Sequence, residues 1–474
     1  MDAKETGRVQ PVKVMNFPHT FVIILAMIVV ALILTWVVPA GMYDFIKTPS
    51  GQKVVDPATF RYIKSTGINP VLIPLYIIKS FSKRIDLMMV IFMAGSAFHV
   101  VTKTGALQAI LAKGAKRFSN RLEVFIPVLT LIFGLICTTQ GVNTFIPFAP
   151  VMVMLAMAMG LDSITGEAIM VLGGAIGFST GTFNMFTTVV AQDIAELPAY
   201  SGLWYRAVCF VVFYIVTNWY LIRYAKKIKK NPTMSPMFDL DQEMKAEEAT
   251  MDLEAASELT GRMLAPLVLL VIAFAVIIYG AIVLKWGMAH MAAMFLTYSV
   301  VADLMIGTPV NTVCKDILDG SKQMLGAAFI IGMATAISGI MDAGKITYTI
   351  VHATSELLSG LPPIIIAPGM VLANTLINLF LTSGSGQAVA VMPILIPLAD
   401  VLGVTRQTTV LAFNFGDGFC NFILPTSTAL MGTLSVTNIP YDRWMRFMWK
   451  LFLIWLVTGC VMTLIAQMIH LGPM

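Results

Sequence analysis

Charge is scarce in this chain: only 12% of its 474 residues are Asp, Glu, Lys or Arg, about half the usual quarter, while 57% are hydrophobic and the mean hydropathy is +0.82. That balance excludes an ordinary soluble domain and predicts a polytopic membrane protein. Its five cysteines (Cys137, Cys209, Cys314, Cys420, Cys460) are scattered with no Cys-x-x-Cys pair, so they support neither a disulfide framework nor a zinc site. The net charge of +5 is no nucleic-acid footprint, because the basic residues cluster beside apolar runs, where membrane orientation puts them. The first apolar run, Phe21 to Met42, is too long and lacks the small-residue cleavage site expected of a removable signal peptide. Together with Leu264 to Leu284 and Phe447 to Met468, it has the length of a spanning helix, roughly 20 residues.

Against this background Asp417 stands out as the only charged side chain between Arg406 and Asp442. A carboxylate at membrane depth is costly unless it faces a partner or a wet cavity, and such residues mark ion or substrate paths. Gly416, Gly418, Pro425, Thr426, Ser427 and Thr428 surround it, which predicts that the helix is interrupted where the charge sits.

The chain is also written twice. Thr139 to Thr144, then Pro150, Leu155-Ala156 and Gly160, line up with Thr382 to Gln387, then Pro393, Leu398-Ala399 and Gly403, at a constant spacing of 243 residues that continues through Thr165 with Thr408 and Gly173 with Gly416. With a small shift, Ser82-Lys83 and Gly105 meet Ser321-Lys322 and Gly344. The expected organisation is a cytoplasmic tail (1–18), a first membrane repeat (19–225), a charged cytoplasmic linker (226–262) and a second membrane repeat (263–474). Each repeat holds an apolar run too long for one crossing and broken by a polar tip, 124–159 and 364–399, which predicts a re-entrant hairpin. A broken helix follows each, 166–195 and 406–438. Matched interruptions in two halves point to a transporter site at the bilayer midplane.

Basic residues set the orientation. Lys4, Arg8 and Lys13, the segment Lys103 to Arg121 and the lysines at 226, 227, 229 and 230 are all expected on the cytoplasmic side, which makes the second repeat inverted relative to the first if Met291 to Ile306, with Asp303 inside it, also crosses. The linker turns from those lysines to Asp239, Asp241, Glu243, Glu247 and Glu248, and reads as a solvated connector.

The fold class expected is therefore an all-α polytopic membrane protein of two inverted-topology repeats, each with a re-entrant hairpin and a discontinuous helix. Gly141 and Gly384 allow tight reversals, and with the polar groups of the tips and breaks they make up the candidate substrate site: Thr139, Gly141, Asn143, Thr144, Ser179, Thr180, Thr182, Asn184, Ser383, Gly384, Ser385, Gln387, Asp417, Asn421, Thr426 and Ser427. Thr139, Asn143, Thr382, Ser383 and Asp417 are the candidate ligands of a coupling sodium ion; a proton is the other candidate, and no cofactor is expected. Gly384-Ser385-Gly386 resembles an intramembrane serine protease motif and Gly416-Asp417 an intramembrane aspartyl protease motif, but neither set is complete. No histidine is set to meet Ser385, and no second mid-membrane aspartate completes a dyad.

Asn16 to Thr20 leading to Trp36-Val37-Val38-Pro39-Ala40-Gly41, the tip Gly384 to Ala388, and above all Phe415 to Phe419 with Pro425-Thr426-Ser427, resemble the YfcC-like branch of the anaerobic C4-dicarboxylate carrier family over essentially the whole chain. The resemblance implies a multi-pass protein of the bacterial inner membrane, a fold of two inverted repeats, a homodimer and elevator-like movement. It divides on substrate, between C4-dicarboxylates and basic amino acids of the arginine and ornithine type. Neither tips nor breaks contain Lys or Arg to hold a doubly negative ligand, which tilts the expectation toward a basic amino acid with its cationic group near Asp417.

Overall fold

The computed structural model describes residues 20–47, 53–64, 67–104, 121–184, 186–250, 261–284, 286–360 and 363–472. The N-terminal tail, residues 105–120 of the basic segment Lys103 to Arg121 and residues 251–260 of the linker lie outside the described residues. Helices dominate: α1 Thr20–Val37, α2 Ile73–Lys83, α3 Ile85–Lys103, α4 Leu122–Cys137, α5 Ala149–Ala158, α6 Ser163–Thr180, α7 Thr188–Ile194, α8 Leu203–Lys230, α9 Phe238–Thr250, α10 Gly261–Ile282, α11 Met288–Met305, α12 Val310–Gln323, α13 Leu325–Ala343, α14 Thr347–Ser359, α15 Pro363–Asn378, α16 Gly384–Val401, α17 Arg406–Cys420, α18 Thr428–Val436 and α19 Tyr441–Met468. Four short strands between α1 and α2 form two antiparallel pairs: β1 Gly41–Met42 with β4 Arg61–Tyr62, and β2 Phe45–Lys47 with β3 Lys53–Val55. Among the described residues seven helices (α3, α6, α8, α11, α13, α16, α19) are long and apolar enough to cross a membrane. The Asp303-bearing α11 is one of them.

The helices follow the 243-residue register. Asp162 caps α6 by accepting from the Thr165 amide, and Thr405 caps α17 by accepting from the Thr408 amide. Gly160 and Gly403, which precede those caps, share left-handed φ values of 77° and 72°, a conformation that a Cβ would strain. Packing repeats as well: α4 and α5 lie on α6 as α15 and α16 lie on α17, and α6 and α17 also pack on each other. These two central helices are buried along nearly their whole length.

Around them, α8 and α19 are joined by the indole N–H of Trp455, which donates to Thr217 Oγ1 at 2.8 Å, and by the Tyr220 hydroxyl on the Phe447 carbonyl at 2.7 Å. Their outer faces expose Val211, Ile215, Leu453 and Val457, a burden in water but the expected surface toward lipid. α17 begins beside the start of α8, where Gln407 meets Ser201 and Arg206, whereas the Ser163 amide that begins α6 reaches the linker beyond the end of α8. With 28 residues, α8 is about 42 Å long, so α6 and α17 start at opposite ends of the bundle.

Two expectations need correction. α17 is not interrupted at Asp417; it runs unbroken through Gly416 and Gly418 to Cys420, and the break occupies Asn421 to Ser427. Those glycines serve packing: a Cβ on Gly418 would sit 2.3 Å from Ser179 Oγ, and one on Gly177 of α6 would sit 2.0 Å from the Gly134 carbonyl oxygen of α4. Nor is the linker solvated throughout. Ser235, Met237 and Asp241 are buried, because Asp162 accepts from the Ser235 hydroxyl at 2.7 Å, the Ser163 amide donates to Asp241 at 3.2 Å, and Arg443 of α19 holds Asp239 at 2.9 Å.

Candidate substrate cavity

Both polar tips meet one cavity of about 430 Å³, a volume suited to a small metabolite. In the first half α4 ends at Cys137, a turn follows, and Val142–Phe148 coils as a 3-10 helix before α5. Gly141, Asn143 and Thr144 thereby reach the wall, with Gln140 beside them. In the second half Ser383 caps α16, its Oγ accepting from the Gly386 amide, so that Thr382, Ser383, Gly384 and Ser385 present a helix N-terminus to the cavity. Ser427 does the same for α18, accepting from the Leu430 amide. Asn421, Phe422 and Ser427 to Ala429 complete that side.

Asp417 lies one layer behind the wall. It is fully buried, and its Oδ2 is 2.9 Å from where a Cβ on Gly384 would sit. The Asn378 and Asn421 amides both donate to its backbone carbonyl at 2.6 Å, which pins the last turn of α17, while neither carboxyl oxygen has a hydrogen-bond partner. Ser179 Oγ, packed on Gly418, and Asn378 Oδ1 are likewise buried without partners. Buried oxygens left this way cost about 1–3 kcal/mol each unless a ligand, ion or proton satisfies them.

Other candidates fall outside the wall. Thr139 and Thr180 donate to the carbonyls of Ile136 and Ile176. Asn184 is a turn former, donating to the Phe178 carbonyl and accepting from the amides of Phe186 and Thr187. Gln387 points at α15, where its amide meets Asn374 at 3.2 Å. Thr182 and Thr426 are buried with unpartnered hydroxyls and do not line the cavity.

Residues not singled out in the sequence complete the wall: Arg84, Phe178, Phe186, Thr187, Trp286 and Met291 among them. Phe178 was findable, because it stands 243 residues before Asn421. Arg84 was not, since it arrives from the junction of α2 and α3, far from either tip. Its guanidinium answers the absence of Lys and Arg in the tips and breaks. Another buried cation, Arg206, sits near the first break, donating to Gln407 Oε1 at 3.1 Å with two further nitrogens unpartnered.

A cavity walled by two polar tips and two helix N-termini, set in a bundle with lipid-facing sides, fits a multi-pass membrane transporter. The chain belongs to the C4-dicarboxylate anaerobic carrier (DcuC) family, whose model matches residues 17–468. It is 32% identical over 92% of its length, and 94% of the relative's, to YfcC of Escherichia coli (strain K12), which is provisionally named a basic amino acid antiporter. It is 27% identical to an uncharacterized protein of Haemophilus influenzae, over 96% of this chain and 97% of that one. Among solved structures, the Alcanivorax borkumensis YdaH transporter (15% identity, 96% of this chain and 100% of that one) and Neisseria gonorrhoeae MtrF, from a class of antimetabolite efflux pumps (16%, 97% and 98%), superpose with a TM-score of 0.40 each.

Proposed function

We propose that this protein is a secondary transporter of the bacterial inner membrane, N-terminus cytoplasmic, that exchanges small carboxylate-bearing metabolites by alternating access, with basic amino acids of the arginine and ornithine type as substrates. The observation that carries this reading is the convergence of the α16 and α18 N-termini on one cavity with Asp417 immediately behind Gly384. Helix N-termini favour a carboxylate. Asp417 favours an ammonium or guanidinium. The opposed starts of α6 and α17 support inverted repeats, and the meeting of both tips at the cavity supports re-entrant hairpins. The name of the Escherichia coli relative points to the same substrate class.

A second reading rests on Arg84. A guanidinium in the wall suits one carboxylate of a C4-dicarboxylate, the helix N-termini take the other, and Asp417 then holds a coupling sodium ion with neutral oxygens such as Ser179 Oγ and Asn378 Oδ1. In that reading Asn143, Thr382 and Ser383 line the ion's approach, and Thr139, outside the wall, is not needed as a ligand.

Labelled arginine uptake into proteoliposomes preloaded with ornithine, beside labelled succinate uptake into vesicles preloaded with succinate, separates the two. Arginine exchange is expected, and Asp417→Asn is expected to lower it about 30-fold or more, the loss of roughly 2–5 kcal/mol that follows truncation of one partner of a buried charge pair. Succinate exchange alone would overturn the basic amino acid assignment and move Asp417 to the ion.

A further inference from the structure

Asp417 is not the only carboxyl buried without a counter-charge. Glu167, in the second turn of α6, is 0% exposed, and neither of its oxygens has a hydrogen-bond partner. Its polar neighbours are Thr433 of α18 and Thr437, the residue that ends that helix. Both hydroxyls spend their single hydrogen on backbone carbonyls, Thr433 on Leu430 at 3.0 Å and Thr437 on Thr433 at 2.9 Å. They therefore turn lone pairs, not hydrogens, toward the carboxyl. With those hydrogens committed to the backbone, a carboxylate in this apolar seam lacks a dedicated donor, whereas a carboxylic acid can donate to either hydroxyl.

No neighbouring charge rescues the ionised form. The elements packed on α6 are α4, α5, the 3-10 segment, α8, α17 and α18. Of these, α5, α18 and the 3-10 segment carry no ionisable side chain. α4 brings buried Cys137 and Glu123, which is exposed and paired with Lys226. α17 brings Asp417 and Cys420 toward Ser179, twelve residues and about 18 Å up the helix, and Arg406 is engaged with Asp400 and Glu196. α8 brings Arg206 to the far end of α6 at Gly181, Cys209 near Arg206, and Tyr224 to Asp162; its Tyr205, Tyr214 and Tyr220 hydroxyls donate to backbone carbonyls, Arg223 lies over Trp219, and of the lysines in its last turn Lys227 and Lys230 are exposed and Lys229 is half-buried. Below Glu167 on its own helix, Asp162 is held by Thr165, Tyr224 and Ser235, and linker Asp241 by the Ser163 amide.

The position also matters. α6 belongs to the first half and α18 to the second, so Glu167 is covered by the seam between halves, near the linker end of the bundle. We propose that Glu167 is a proton-binding residue of the transport cycle: it holds a proton while α18 covers it, and when the seam opens the O–H bond breaks and the proton passes to water at the linker face, leaving the carboxylate. This rests on the transporter reading above and names the proton as a coupling ion at a site separate from the substrate cavity.

The test uses the full chain reconstituted in lipid, with E167Q and E167D beside the wild type in an Asp417→Asn and a native background. Infrared difference spectra are expected to show a protonated-carboxyl carbonyl band at neutral pH that E167Q removes in both backgrounds. In native-background vesicles containing a trapped pH dye, the wild type is expected to move protons with substrate. E167Q is expected to lose uptake driven by a proton gradient and to flatten the pH profile of exchange, while E167D keeps a profile displaced along the pH axis. Absence of the band, or gradient-driven uptake that survives in E167Q, would overturn the proposal. Failure of the wild type to exchange either labelled arginine or succinate would count against the substrate assignment, and the infrared band would still decide whether Glu167 binds a proton.

Discussion

Gly384 shows how little room the site leaves. A methyl group there would meet Thr187 Cγ2 at 2.5 Å and Asp417 Oδ2 at 2.9 Å, one neighbour from each half of the chain. Both side chains are buried, so little room is left for either to rotate away. Gly384→Ala is expected to be destabilised by about 1–3 kcal/mol, as overpacked interiors are, and to lose substrate exchange even where it folds. Thermal unfolding of the purified protein and the vesicle assay check the two parts; exchange at the wild-type rate would mean that Asp417 and Thr187 are not held where they are described. Asp417 itself was legible, because a lone charge in an apolar run needs no neighbour to be noticed. Arg84, in the cavity wall, was not.

At the scale of elements, the docked linker is the part that the sequence pattern described least well. An acidic run reads as solvated, yet only part of it behaves so: Asp241 sits against the start of α6. Burial lifts its carboxyl from 3.8 to about 6, and the Asp162 carboxylate adds to that while the Ser163 hydrogen bonds and Lys245 oppose it. A carboxyl whose docked value is raised binds more protons docked than free. Docking is therefore favoured fully below about 4, and this contribution is lost as pH rises through about 6. Limited proteolysis between Asn231 and Lys245 is expected to be several-fold slower at pH 5 than at pH 7.5 in vesicles that expose this face. Asp241→Asn should remove that step and leave protection at the level of the acid form. An unchanged pH step in Asp241→Asn would assign it to another group.

For the whole molecule, the opposed starts of α6 and α17 make a prediction about sidedness. Glu196, beside the start of α17, and Lys230, at the end of α8, are both exposed and should face opposite sides of the membrane. In a Cys314→Ser background, which removes the exposed native thiol among those described, Glu196→Cys is expected to react with an impermeant maleimide on intact spheroplasts. Lys230→Cys should react only after permeabilisation. Labelling of both from one side would sink the inverted arrangement.

The sequence by itself determined the membrane class, the 243-residue register and the two polar tips. Apolar length, spacing and lone charges are properties along one dimension, and they survive without knowledge of contacts. Tertiary structure alone decided that Gln387 and Asn184 turn away from the cavity, that Gly416 and Gly418 serve close packing and not a break, that Arg84 joins the wall, and that Glu167 lies on the seam. The physical reason is common to all four. A glycine permits either a reversal or a close approach, and an amide can bind a ligand or a neighbouring backbone. Which occurs depends on the element that arrives opposite it from tens or hundreds of residues away.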